Sequence, residues 1–141
     1  MSNKFSLSVR GIPQKLDPLI SDEIYQIGRE ALANAFLHAS ATRIEIELTY
    51  SRREFPLRIA DDGCGIDPSI LDAGGRPGHW GLSGMRERAA KIHVSPEIRS
   101  PGGVGTEIAL SVPATKRTGT CRTARFCAGW GRSSTRITTK A

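Results

Sequence analysis

Apolar and polar residues alternate along the chain with two different periods, and the switches between them mark the elements. Phe5, Leu7 and Val9 alternate with polar neighbours, the two-residue period of a half-buried strand, up to a turn at Gly11–Pro13. Asp17-Pro18 reads as an N-cap followed by proline at the first helical position. From there Ile20, Ile24, Ile27, Ala31, Leu32, Ala35 and Phe36 recur at helical spacing, which predicts a helix reaching to about Ala39. Ile44, Ile46 and Leu48 alternate with Glu45 and Glu47, and Phe55, Leu57 and Ile59 alternate likewise into Asp61, giving two more strands. Between Asp62 and Gly84 the pattern is lost to seven glycines and two prolines. So much glycine is costly unless the backbone bends sharply or approaches a ligand. Helical spacing returns over Leu82–Ile92, and closing strands are expected at about 94–99 and 104–112, joined by a turn at Pro101-Gly102-Gly103. Strands grouped with two long helices predict the α+β class, a two-layer sandwich with helices on one face of the sheet.

Composition narrows this picture. A chain of 141 residues with 38% hydrophobic and 24% charged residues fits one core, with little room for a second. It has no run of about 18 apolar residues, so no membrane span is expected. MSNKFSLSVRG has no continuous apolar stretch of the signal-peptide kind. Cys64, Cys121 and Cys127 follow no metal-ligand spacing, and reduced cytoplasmic thiols are the expected state. The net charge of +6 belongs to one end. Residues 1–113 carry 13 Lys/Arg against 14 Asp/Glu, whereas residues 114–141 carry 7 basic residues and no acid. That tail has Thr or Ser at nine of its 28 positions and neither period, so it is expected to be disordered and the folded domain to be 1–113.

Four groups of residues carry candidate chemistry. Glu30, Asn34 and His38 are spaced i, i+4, i+8 and fall on one face of the first helix. Asn supplies a hard neutral oxygen suited to Mg²⁺, and Glu can orient or deprotonate a neighbouring group. Asp61-Asp62-Gly63-Cys64-Gly65-Ile66-Asp67 comes at a strand end, where a carboxylate can accept a hydrogen bond from an exocyclic amine and two glycines let a flat ring lie on bare backbone. Gly78-His79-Trp80-Gly81-Leu82-Ser83-Gly84-Met85 runs a glycine-rich loop into a helix, an arrangement whose free N–H groups and dipole favour an anion, although no Walker loop is present. Gly103-Val104-Gly105-Thr106 opens the last strand. Taken singly, each has a plain alternative: a solvated helix face, a tight acidic turn, a surface loop before a helix, a hairpin.

In this order and spacing the four resemble the N, G1, G2 and final GT-containing boxes of the GHKL ATP-binding superfamily. The segments REALANAFLHA (29–39), DDGCGID (61–67), GHWGLSGMRERA (78–89) and GGVGTEIALSVP (102–113) are similar to the catalytic domain of bacterial sensor histidine kinases, of the kind paired with helix-turn-helix response regulators. The resemblance implies the Bergerat fold, a mixed sheet under helices. It also implies ATP and Mg²⁺ as cofactors, with Asn34 on the metal and Glu30 by the γ-phosphate. Asp61 would recognise adenine, and Gly63 and Gly65 would form the pocket wall. Gly78, Gly81, Leu82 and Gly84 would form the lid and phosphate loop, His38 would join the nucleotide contacts, and Thr106 would support Asp61.

The chain departs from that pattern in three places. Lys or Arg is usual where Leu37 stands, and a lost charge-assisted contact is worth about 1.5–3 kcal/mol. No helix pair carrying a phosphoacceptor histidine precedes Asp17, so the implied partners are a separate dimerisation domain and a response regulator, and autophosphorylation by this chain alone is not expected. The tail follows the strand near Pro113 where the family commonly stops, which suits a non-functional end better than a nucleic-acid-binding arm. Two rival readings remain: a serine kinase of the anti-sigma type, and a non-catalytic nucleotide-binding remnant touching nucleic acid through its basic tail.

Overall fold

A computed structural model describes residues 4–72, 81–101, 103–113 and 135–140. In chain order the elements are β1 (Lys4–Arg10), α1 (Pro18–Ala33), β2 (Arg43–Thr49), β3 (Glu54–Asp61), α2 (Pro68–Asp72), α3 (Leu82–Lys91), β4 (Glu97–Arg99), β5 (Thr106–Pro113) and β6 (Thr135–Lys140). The strands form one mixed sheet in the order β4-β5-β3-β2-β1-β6, with β1 and β2 parallel and the other pairs antiparallel. A parallel pair needs a crossover, and α1 is that crossover.

The helix starts where the sequence says it should. Asp17 Oδ1 accepts the Leu19 N–H at 2.9 Å and Pro18 occupies the first turn. Ile20, Ile24, Ile27 and Ala31 then bury one stripe against Phe55, Leu57 and Ile59 of β3, Ile108, Leu110 and Val112 of β5, and Met85 and Ala89 of α3. Burying each large side chain contributes about 1.5–3 kcal/mol, so this stripe holds the helices on the sheet. The other sheet face is charged and pairs with itself. Arg58 meets Glu107 at 2.8 Å and Glu47 at 3.9 Å, while Arg43–Glu45 and Arg99–Glu97 lie at 2.6 and 2.8 Å. Such exposed pairs are worth at most about 1 kcal/mol each, but they keep that face in water. The α+β sandwich with one-sided helices is the architecture expected from the alternation, and the mixed sheet is the one the family resemblance implies.

Three local expectations are corrected. The first α-helix ends at Ala33, not near Ala39, and Asn34–His38 continue as a π-helical turn in which the Ala39 N–H reaches back five residues to Asn34 O at 3.0 Å. The glycine-rich stretch contains a short helix, α2, capped by Asp67 just as Asp17 caps α1. Within the tail expected to be disordered, Thr135–Lys140 form β6, antiparallel to β1. Its β-branched Thr135, Ile137 and Thr139 stand in register with Val9, Leu7 and Phe5, a pattern strands favour. Gly78 lies outside the described residues, as do residues 114–134. Among the described residues no helix is long and apolar enough to cross a membrane.

Candidate functional site

Asp61 is the last residue of β3 and stands in register with Thr106, the first residue of β5. Its Oδ1 accepts the Gly63 N–H at 2.8 Å. Partial burial pushes this carboxyl above the usual aspartate range; the Gly63 and Thr106 N–H groups work against that rise, and the neighbouring Asp62 charge adds to it. Gly105 has φ +98°, and a Cβ there would run into the Asp61 carbonyl oxygen, so no other residue fits between Asp61 and the last strand. Buried Ser100 links the two loops: its Oγ accepts the Ile66 N–H at 2.6 Å, donates to Gly105 O at 3.0 Å and lies 3.3 Å from Thr106 Oγ1. Gly65 approaches the same hydroxyl.

Asp62 has a different task. It accepts the Thr42 N–H and the Arg43 N–H at 2.8 Å each, and the Thr42 hydroxyl at 2.7 Å. The Thr42 hydroxyl holds its carboxyl below the ordinary value, the two N–H groups assist, and a smaller burial effect opposes them. Nearby, the Cys64 N–H reaches Ala39 O at 2.9 Å, and a Cβ on Gly63 would come within 2.5 Å of that same oxygen. The loop after β3 is therefore seated on the chain that follows Asn34.

At the other end of the site, Asn34 is only 8% exposed and its N–H closes the last α-turn onto Glu30 O. Gly81, with φ +59°, precedes α3, and a Cβ there would fall within the Glu30 side chain. The Met85 N–H bonds Gly81 O at 2.9 Å, and among the described residues no side chain caps this first turn. Gly84 lies within that turn, with nothing close to where a Cβ would stand. Uncapped N–H groups at a helix start can receive an anion, and Glu30, against which Gly81 packs, lies one turn from the buried Asn34.

The structure thus brings Glu30, Asn34, Gly81 and Gly84 to one end, and Asp61, Gly63, Gly65 and Thr106 to the other. Leu82, expected in the phosphate loop, buries its side chain in the main core at the start of α3, which leaves its backbone N–H as the group that can face a ligand. One expectation changes. The i, i+4, i+8 stripe does not continue past Asn34, because the π turn resets the spacing before His38, whose side chain lies outside the described residues. Leu37 is 76% exposed in that turn. Ser100, Asp62 and Gly105 were not assigned roles from sequence. Gly105 had a signal in its glycine before the closing strand; Ser100 and Asp62 had none that set them apart from ordinary turn residues.

A cavity of about 580 Å³ lies on the charged face of the sheet between β2, β3, β5 and the loop 93–97. None of the expected site residues lines it. A smaller one of about 320 Å³ is bordered by Asp61, Gly105 and Thr106.

Residues 20–116 match the family of histidine kinase-, DNA gyrase B- and HSP90-like ATPases. The chain belongs to this family. Among the family's sensor kinases, LiaS of Bacillus subtilis is 32% identical over 94 residues, 67% of this chain and 25% of that protein. The nitrate/nitrite sensor protein NarX of Escherichia coli is 28% identical over 110 residues, 72% of this chain and 18% of that protein. The chain thus spans about a quarter or less of these relatives. Two solved folds are similar. The histidine kinase domain of a blue-light activated kinase from Erythrobacter litoralis superposes with a TM-score of 0.62 at 20% identity, over 79% of this chain and 52% of that one. The ATP-binding domain of PrrB from Mycobacterium tuberculosis gives 0.58 at 21% identity, over 76% and 78%. The fold is similar to that of histidine kinase ATP-binding domains.

Proposed function

We propose that the chain binds Mg-ATP and presents the γ-phosphate to a histidine on a separate dimerisation domain, from which a response regulator takes it in two-component signalling. The observation that carries this reading is Asp61. It is a partly buried carboxylate at a strand end, anchored by Gly63 and Thr106, with Gly105 excluding any side chain beside it. Held in this way, it suits an exocyclic amine such as adenine N6, and the glycines leave room for a flat base.

The residues fit the nucleotide at its other end as well. Asn34 is buried one helical turn after Glu30, the side chain that Gly81 abuts before the uncapped first turn of α3. Among the described residues no group of three or more His, Cys, Asp or Glu could hold a metal by itself. An ion there suits the Mg²⁺ pattern of one or two protein ligands completed by substrate phosphates. Bound there, Mg²⁺ would neutralise charge on the transferred phosphoryl group. The α3 amides would orient the phosphates, and Glu30 would position or deprotonate the attacking imidazole. Phosphoryl transfer is mostly positioning and charge stabilisation, which this set of groups can supply.

Calorimetric titration with a non-hydrolysable ATP analogue, with and without Mg²⁺, tests the reading. Mg²⁺-dependent binding that discriminates against GTP is expected, and no binding at millimolar nucleotide would overturn it. Mixing the chain and labelled ATP with a sensor-kinase dimerisation domain then identifies the acceptor: acid-labile label marks histidine, and acid-stable label would point to serine.

A further inference from the structure

Outside the residues assigned above, one buried charge calls for a role. Glu23 sits in the middle of α1 with its side chain only 9% exposed. Its two oxygens are divided between two cations of α3, Arg88 Nη1 at 3.1 Å and Lys91 Nζ at 3.4 Å. Burial raises the Glu23 carboxyl, and the two cations outweigh that and hold it below its ordinary value. Around it, the α1–α3 contact is apolar: Ile20, Ile24 and Ile27 against Leu82, Met85 and Ala89. An apolar seam resists separation but is non-directional, so it sets the helix-to-helix register weakly. A buried carboxylate gripped by two cations sets it strongly, since a shift leaves an unpaired buried charge.

The spacing shows what that register controls. Glu30 lies seven residues after Glu23, and Gly81, which abuts Glu30, lies seven residues before Arg88. Two turns on each helix, roughly 10 Å, separate the ion pairs from the Glu30–Gly81 contact. The antiparallel helices are thus joined at two levels, one charged and one at the phosphate end of the site.

We propose that Glu23, through Arg88 and Lys91, is a positioning residue: it fixes the axial register of α3 on α1 and so places the first turn of α3 against Glu30 and Asn34. This rests on the nucleotide reading above for its consequence but not for its geometry. The pair would act on phosphate binding and leave adenine recognition at Asp61 alone, because the Asp61 end is tied to strands.

The test uses the full chain, with Glu23→Gln and the double variant Arg88→Gln/Lys91→Gln. Adenosine affinity, followed by NMR titration, is expected to stay within about twofold of the unaltered protein. Affinity for the Mg²⁺-bound ATP analogue is expected to fall about tenfold, the size of one charge-assisted contact. Equal losses for the two ligands, or no loss for the analogue, would overturn the proposal. A second measurement needs no nucleotide. Amide exchange at Met85, whose N–H bonds Gly81 O, should quicken in both variants while Ile108 in β5 is unchanged. Unchanged exchange at Met85 would sink the positioning role even if the unaltered chain bound no nucleotide, a result that by itself would remove only the nucleotide reading.

Discussion

At the Asp61 end of the site, position is set by strand pairing and by hydrogen bonds from Gly63, Ser100 and Thr106; at the Glu30 end it is set by two packed helices and a glycine against a side chain. Hydrogen bonds and paired strands specify geometry directionally and leave no space for an added methyl group. Helix packing alone fixes the pieces more loosely; the Glu23 ion pairs hold the register of α3, and the Glu30 side chain keeps the freedom to adjust. The difference suits the two proposed tasks, since a base of constant shape can be met by a rigid cradle, whereas phosphates and an incoming imidazole need an end that can adjust.

The strongest way to break this comparison is to add one methyl at each kind of glycine. Gly105→Ala forces a Cβ into the Asp61 carbonyl at a positive φ and should cost about 3 kcal/mol or more in urea unfolding. Gly103→Ala has a similar φ, +81°, with no neighbour in reach, and should cost only about 1–2 kcal/mol of backbone strain. Equal losses would mean that the Asp61 cradle is not tight. Next in size, Asp61→Asn should weaken ATP binding ten- to hundredfold and remove the preference over GTP. Asn34→Ala should instead abolish the Mg²⁺ dependence, and calorimetry that finds both variants near wild type would dispose of the site assignment. A gain tests the looser end: Leu37→Lys, at a position 76% exposed and free to change, should tighten ATP binding about tenfold, with no change for adenosine.

The smallest effect is one of pH. Asp61 has a folded-state pKa raised above its unfolded value, so the folded state holds its proton more tightly, and stability from this group falls as pH rises from about 3.8 through the raised value. Asp61→Asn should therefore be more thermally stable than the parent at pH 7. That margin should shrink on acidification below the ordinary aspartate range, and an unchanged margin from pH 7 to pH 3 would contradict the raised pKa.

Much of this was readable from the residues, for physical reasons that differ by element. The strands from Ile44 to Asp61 alternate cleanly because one sheet face is solvated and the other is buried. Asp61, Gly63, Gly65 and Thr106 stood out only through the order and spacing of the four motifs, since an acidic turn or a hairpin taken singly has a plain explanation. The π turn at Asn34–His38 was not legible, since Ala31, Ala35 and Ala39 fit an α-helix equally well and it is the tertiary contacts of Ala39 with Cys64 and Gly63 that the altered winding serves. Asp62 lies beside Asp61 in sequence, yet leaving the strand turns it toward Thr42 and Arg43, which no spacing rule foretells. Ser100 acts across 34 residues on Ile66. By contrast, α2 is legible in the residues, because Asp67-Pro68 repeats the capping signal of Asp17-Pro18. Strand β6 had β-branched residues in alternation, but six positions within a basic, pattern-free tail were too few to stand out.

The parallel pairing of β1 with β2 has a kinetic consequence. Arg10 and Arg43 bound a connection of 32 residues, so these strands can meet only after a long loop closes, a slow step for a folding chain. Forming α1 shortens that loop, and docking Ile27 on β3 brings its ends together. Ile27 therefore belongs among the residues whose loss should slow folding more than it speeds unfolding. The helix bearing Glu30 and Asn34 would then dock early, and the sheet would complete itself around the site.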